Sequence, residues 1–149
     1  MIVEPPGLLP PLRIDLERDA VLLDGNVRLV MKEYPILGAD SEFAARAALA
    51  SVNQGLYEEF HFALMASNGQ LTEAGVMAIA KQVGLDVARL EQDMDSGPVS
   101  AMLNKNFDLA RTLDIRGTPA FVIGDELVPG ALEMNRLKEL IAKARANSS

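Results

Sequence analysis

The stretch that decides the fold lies near the end of the chain and reads Gly117-Thr118-Pro119-Ala120-Phe121-Val122-Ile123-Gly124. Aromatic and β-branched residues from Ala120 to Ile123, with a breaker on each side, are typical of a short strand. Pro119 stands directly before this strand, a position where the missing N–H is tolerated. The residues from Glu126 to Ala131 can form the second arm of a hairpin that turns at Gly124-Asp125.

The composition indicates one globular domain. The chain has 149 residues, 49% of them hydrophobic, and a formal net charge of −7, which disfavours nucleic acid and anionic membranes as partners.

No apolar run approaches the roughly 20 residues that a membrane-spanning helix needs. The first residues lack the basic and apolar regions of a signal peptide. The product is therefore expected to stay in the cytoplasm if Met1 is its native start.

Helical periodicity dominates the rest of the chain. A Pro-rich arm covers residues 1–12, a helix is predicted for 12–23 and a half-buried strand for 26–33. Five helices are predicted between this strand and the hairpin, and one follows the hairpin: 41–53, 56–65, 71–84, 87–94, 99–113 and 132–146. The expected N-caps are Asp40 or Ser41, Thr72 and Asp86. The side chains expected to face the core from the fifth of these helices are Met102, Leu103, Phe107, Ala110 and Leu113.

These patterns resemble the DsbA-like branch of the thioredoxin superfamily. The likeness is carried by Asn26–Val30 with Lys32–Gly38, by Ser41–Ala48, by Tyr57–His61 with Ala63–Met65, and by Ala110 through Gly124. Their order and spacing match the family from about residue 26 to residue 146. The chain is most similar to bacterial periplasmic disulfide-exchange proteins of the DsbA, DsbG and copper-sensitivity-suppressor type.

The resemblance implies an α/β fold, namely a thioredoxin-like core with an inserted α-helical domain. The core would comprise residues 1–38 and 114–149, and the insertion residues 39–113. In this family a Cys-x-x-Cys motif begins the first core helix, where the helix dipole favours the reactive thiolate. A cis-proline loop lies against the motif and pairs with substrate backbone. Gly117, Thr118 and Pro119 match that loop and are the expected substrate-binding residues, although the sequence leaves the isomer of the Thr118–Pro119 bond open.

The chain departs from the family at the motif itself. Counting back from Asn26 places the Cys-x-x-Cys position near Gly7, Leu8, Leu9 and Pro10, yet the chain contains no cysteine. The sequence therefore assigns no catalytic residue and no cofactor. No pair of serines stands there either, which weakens the alternative of a non-thiol isomerase or transferase-type relative.

The strand that precedes the motif in the family is reduced here to Ile2-Val3-Glu4, so the core reads as N-terminally truncated. That strand would lie in the middle of the sheet, and each unpaired buried backbone group would cost about 1–3 kcal/mol. The slot could be filled by these three residues, by a strand from a second copy, or by a rearranged sheet. A homodimer, with or without strand exchange, is expected from this requirement.

Other candidate sites have simpler explanations. His61 is the single histidine, with Glu58, Glu59 and Met65 nearby in sequence, and is interpreted as a helix residue of the insertion. The segment from Asp93 to Gly97 lacks the later ligands of a calcium loop. The seven methionines are interpreted as core residues rather than copper ligands. No metal site is predicted.

Three functional hypotheses remain. The first is a redox-inactive homologue of the thiol–disulfide oxidoreductases that still binds a peptide or protein at the proline loop. The second is a truncated or frame-altered fragment with no independent activity. The third is an enzyme with a non-thiol nucleophile. The family implies a periplasmic location for all three.

Overall fold

The structure, a computed structural model, describes residues 2–3, 27, 29–67 and 71–147. Its sheet contains four short strands in the order β2-β1-β3-β4. They are β1 (Ile2–Val3), β2 (Lys32–Glu33), β3 (Ala120–Ile123) and β4 (Glu126–Pro129). The strands β3 and β4 form the predicted hairpin, which turns at Gly124-Asp125.

The central position of the sheet is occupied by Ile2–Val3 of the same chain. This strand pairs in parallel with Lys32–Glu33 and in antiparallel fashion with Ala120. Of the three occupants that the sequence leaves open, the structure therefore has the chain's own residues. The predicted strand 26–33 is wrong in length, since β2 contains only Lys32–Glu33. Its shortness has a simple reason, because a ladder can extend only as far as both strands pair.

Helices account for most of the other described residues. They are α1 (Ala39–Ser51), α2 (Tyr57–Ala66), α3 (Glu73–Gln82), α4 (Val87–Met94), α5 (Gly97–Thr112) and α6 (Met134–Asn147), with a 3₁₀ turn at Val52–Gln54. The predicted helix 12–23 and most of the Pro-rich arm lie outside the described residues.

The helix starts test the predicted caps. The Thr72 hydroxyl accepts from the Gly75 N–H, and the Asp86 carboxylate accepts from the Arg89 N–H, which confirms both residues as N-caps. The prediction of Asp40 or Ser41 was wrong, because α1 already begins at Ala39, after Gly38 with φ +97°. Asp40 lies instead in the first turn, where a negative charge complements the helix dipole.

Three apolar clusters lie within the described residues, and the smallest joins Ala110, Ile115 and Ala120. The largest one joins α1 to the helices that follow it, and the alanines of α1 allow this close approach. Its most buried members are Ala47, Ala50, Phe60, Val76, Ala80 and Leu90. The second cluster packs Leu137 and Leu140 of α6 against Phe121 on one face of the hairpin.

The inward face of α5 differs from the prediction. Leu103 and Ala110 are buried as expected, but Met102 is 42% exposed. The buried positions are Val99, Leu103, Asn106 and Ala110, whose spacing of four, three and four follows one face of a helix. Phe107 and Leu113 are half-buried, and Phe107 packs edge-on against Tyr34, so only Met102 departs from the expected face, which also holds the polar Asn106.

Candidate functional site

The Thr118–Pro119 loop connects the end of α5 to β3. The Ile115 N–H donates to the Ala110 carbonyl at 2.8 Å, and the buried Ile115 packs with Ala110 and Ala120. The exposed Arg116 guanidinium donates to both carboxylate oxygens of Asp114, at 2.9 and 3.1 Å. This segment thus leads directly from the helix to the edge of the sheet.

The loop itself is braced by the hairpin. The Thr118–Pro119 peptide bond is cis, and the Pro119 carbonyl accepts from the Gly130 N–H at 2.8 Å. This bond continues the β3–β4 ladder by one residue pair. Gly117 is exposed, whereas the Thr118 hydroxyl is buried and has no hydrogen-bond partner within the part of the chain that the structure describes.

The register of the sheet places Pro119 beside the end of the central strand. Ile2 is opposite Ala120 and Val3 is opposite Glu33, so Val3 lies between Glu33 and Pro119. With strands about 4.8 Å apart, Glu33 and Pro119 are separated by about 10 Å across β1. The chain continues from Val3 toward Gly7, Leu8, Leu9 and Pro10, which lie outside the described residues.

Glu33 lies at the same end of the sheet and is the centre of a buried hydrogen-bond network. Its Oε1 accepts from the Tyr57 hydroxyl at 2.7 Å and lies 2.9 Å from Nδ1 of His61. Its backbone carbonyl accepts from the Asn106 side-chain amide, also at 2.9 Å. Glu33 is 4% exposed and His61 only 1%. We call Glu33, Tyr57, His61 and Asn106 the Glu33 cluster.

The helix α2 presents the two aromatic partners together. Tyr57 and His61 are one turn apart, and their rings stack with centroids 5.5 Å apart. Burial raises the pKa of the Tyr57 phenol far above its ordinary value, and the charge and hydrogen bond of Glu33 raise it further. Tyr57 therefore acts as a hydrogen-bond donor to Glu33 throughout the physiological range.

The sequence did not identify Glu33 as the partner of His61. The acidic residues next to His61 in sequence, Glu58 and Glu59, are exposed, whereas Glu33 lies 28 positions away. One signal could have found it. The alternation in residues 27–31 places Met31 and Glu33 on one face of the predicted strand. The Glu33 carboxylate is therefore expected to point into the core, where it requires a hydrogen-bond donor.

The chemistry available to these residues is limited. Within residues 2–3, 27, 29–67 and 71–147, no three His, Asp or Glu side chains come together in a way that could hold a metal ion. Among the described helices, none is long and apolar enough to cross a membrane. The Glu33 cluster is buried beneath the surface, so the exposed part of the candidate site is the Gly117-Thr118-Pro119 loop.

Similarity to known proteins agrees with this architecture. The chain aligns with a thioredoxin-like oxidoreductase from Silicibacter pomeroyi DSS-3 at 46% identity, over 91% of this chain and 79% of that one, with a TM-score of 0.88. A periplasmic thioredoxin-like protein from Salmonella enterica serovar Typhimurium shares the fold, with 24% identity, 97% and 82% coverage and a TM-score of 0.79.

A curated relative extends well beyond the matched region. This protein, Na(+)/H(+) antiporter NhaA 1 of Salinispora arenicola, is 26% identical over 125 residues. The match covers 83% of this chain but 19% of the antiporter's length. The family description DSBA-like thioredoxin domain matches residues 13–142. With this match over most of its length, the chain belongs to the DsbA-like thioredoxin domain family.

Proposed function

We propose that this chain is a DsbA-like protein without disulfide-exchange activity that binds an extended polypeptide at Gly117, Thr118 and Pro119. The observation that carries the proposal is the intact loop in a chain that has no cysteine. The loop is braced by Gly130 and lies beside the end of the central strand. Gly117 is exposed, so the backbone of the loop is open to a ligand at this residue, whereas the Thr118 hydroxyl is buried.

The hairpin next to the loop supplies apolar surface for the ligand's side chains. Phe121 packs against α6, so Val122 points to the opposite face of the sheet. There it is paired with Leu127, and the two side chains are 44% and 40% exposed. Main-chain hydrogen bonds at the loop and apolar contacts on this face together fit an extended segment.

Binding can be measured by fluorescence anisotropy. The probe is a fluorescein-labelled polypeptide held unfolded by reduction and carbamidomethylation of its cysteines, which also prevents any disulfide chemistry. We expect Thr118→Arg to weaken binding at least tenfold, because the larger side chain obstructs the loop. The control, Gln82→Arg, adds the same charge at the exposed end of α3 and should leave the affinity unchanged.

Two results would contradict the proposal. One is the absence of saturable binding by the unaltered chain, which would favour the hypothesis of a fragment without independent activity. The other is equal weakening by Thr118→Arg and Gln82→Arg, which would indicate that charge alone governs the interaction.

Self-association is a separate proposal that rests on the shortness of β1. A strand of two residues makes few contacts, so a second copy could donate it in exchange. Because the described sheet is complete within one chain, self-association is not needed to fill the central slot. Light scattering at several concentrations tests the proposal, and a monomeric mass throughout would contradict it.

The periplasm is the proposed location, supported by family membership and by the periplasmic relative from Salmonella. Fractionation of cells that express the native gene tests this location, and recovery of the protein only in the cytoplasm would contradict it.

A further inference from the structure

The Glu33 cluster borders a small, partly enclosed cavity. Its lining includes Glu33, Tyr34, Pro35, His61, Leu64 and Met65, together with Ala44 and Ala45 of α1. The cavity measures about 10 Å³, and a single water needs about 10–15 Å³ on the same measure. Its size therefore admits one water molecule and nothing substantially larger.

His61, one of the residues that line this cavity, has a buried nitrogen without a partner. His61 places Nδ1 against Glu33 at 2.9 Å, whereas its Nε2 is buried without a hydrogen bond to any described residue. An unpaired buried polar atom of this kind costs about 1–3 kcal/mol. Among the atoms of the Glu33 cluster, Nε2 of His61 is thus the one that a hydrogen-bonding ligand would stabilise.

We infer that this cavity is a binding site for one internal water molecule, held by Nε2 of His61. Water can donate to Nε2 or accept from it, so it suits the imidazole in either protonation state. Both hydrogen bonds to the Glu33 carboxylate end on Oε1, which leaves Oε2 as a second acceptor on a residue that also lines the cavity. Internal waters typically make two to four hydrogen bonds, and these two groups supply the minimum.

A soft metal cation is the competing occupant. The thioether of Met65 lines the same cavity, and thioether and imidazole groups bind Cu(I). Water is favoured because the cavity is small. In addition, the described residues bring no third His, Asp or Glu side chain to His61 and Glu33.

Nuclear magnetic resonance can detect the water through the neighbouring methionine. With methyl-labelled methionine, we expect magnetisation transfer from a long-lived water to the Met65 methyl group. Met94 is the internal control, because it is as buried as Met65, at 5% and 4% exposed, but does not line the cavity. A silent Met65 in the unaltered chain would overturn the inference.

Three further measurements keep the inference testable. A crystal structure at high resolution should show one oxygen about 2.7–3.2 Å from Nε2, and a cavity without electron density would overturn the inference. The His61→Phe variant should lose the signal at Met65. Titration with Cu(I) alone should leave the Met65 resonance in place, and a saturable shift at one equivalent would overturn the water assignment in favour of a cation site.

Discussion

Nδ1 of His61 lies 2.9 Å from Oε1 of Glu33 although 28 positions separate the two residues. The contact joins α2 to the outer strand β2, at the end of the sheet where Pro119 lies. Both side chains are nearly inaccessible to solvent. A buried carboxylate is tolerated only when hydrogen-bond donors surround it, and here Tyr57 and His61 supply them.

Replacing Glu33 by glutamine should destabilise the chain by about 1–3 kcal/mol. The amide keeps the shape of the side chain, but it removes the charge and so weakens the hydrogen bonds that Tyr57 and His61 make to it. Urea unfolding followed by circular dichroism measures the change. The matched control is Glu59→Gln at an exposed position of α2, which should stay within about 0.5 kcal/mol. Equal effects of the two substitutions would contradict a structural role for the Glu33 cluster.

The phenol of Tyr57 should make the chain less stable at alkaline pH. Its pKa is raised in the folded state, chiefly by burial, so above about pH 10 the unfolded chain loses a proton that the folded chain retains. The stability is therefore fully present below the unfolded pKa and falls by about 1.4 kcal/mol per pH unit above it. In Tyr57→Phe this slope should be smaller by one proton. Urea unfolding at several pH values between about 9 and 11 measures both slopes, and identical slopes would contradict the assignment.

Much of the fold could be predicted because its signals are local. The apolar run before Gly124 predicts the hairpin. The caps at Thr72 and Asp86 each depend on a hydrogen bond between residues three positions apart. The strand β1 could not be predicted as such. Two residues have no periodicity, and their place between β2 and β3 depends on pairing with residues about 30 and 118 positions away, as the register shows.

The candidate site was predicted only in part. The resemblance assigns substrate binding to Gly117, Thr118 and Pro119, which stays a prediction. The sequence missed the network around Glu33 because every bond in that network spans 24 positions or more. Asn106 was overlooked for a different reason. The inward face of α5 was read from apolar residues alone, whereas the buried carbonyl of Glu33 requires a polar donor on that face.

Asn106→Ala should lower the free energy of unfolding by about 1–3 kcal/mol. The substitution removes the amide that donates to the Glu33 carbonyl at 2.9 Å and leaves that carbonyl buried without this donor. Asn104, two residues earlier on α5, is exposed, so Asn104→Ala should change stability by at most about 0.5 kcal/mol. Chemical denaturation of both variants provides the comparison. A loss of stability in Asn104→Ala as large as that in Asn106→Ala would show that the bond to Glu33 is not responsible.

Gly124 in the hairpin turn should not tolerate a side chain. Its φ is +60°, and an added Cβ would come within 3.0 Å of the Ala144 Cβ on α6. A left-handed conformation costs an L-residue about 1–2 kcal/mol, and the contact would push α6 away from the hairpin. Gly124→Ala should therefore lower the melting temperature. By contrast, Gly97→Ala adds a Cβ at the start of α5 with no atom within 4 Å and should be neutral or stabilising by up to about 1 kcal/mol.

The chain should not accelerate the reduction of insulin by dithiothreitol. Thiol–disulfide exchange requires a thiolate that attacks a disulfide sulfur and forms a mixed disulfide, and this chain has no cysteine to provide it. The rate of insulin precipitation should not exceed that with dithiothreitol alone at any protein concentration. A rate that rises with concentration and survives further purification would contradict the proposal of an inactive homologue.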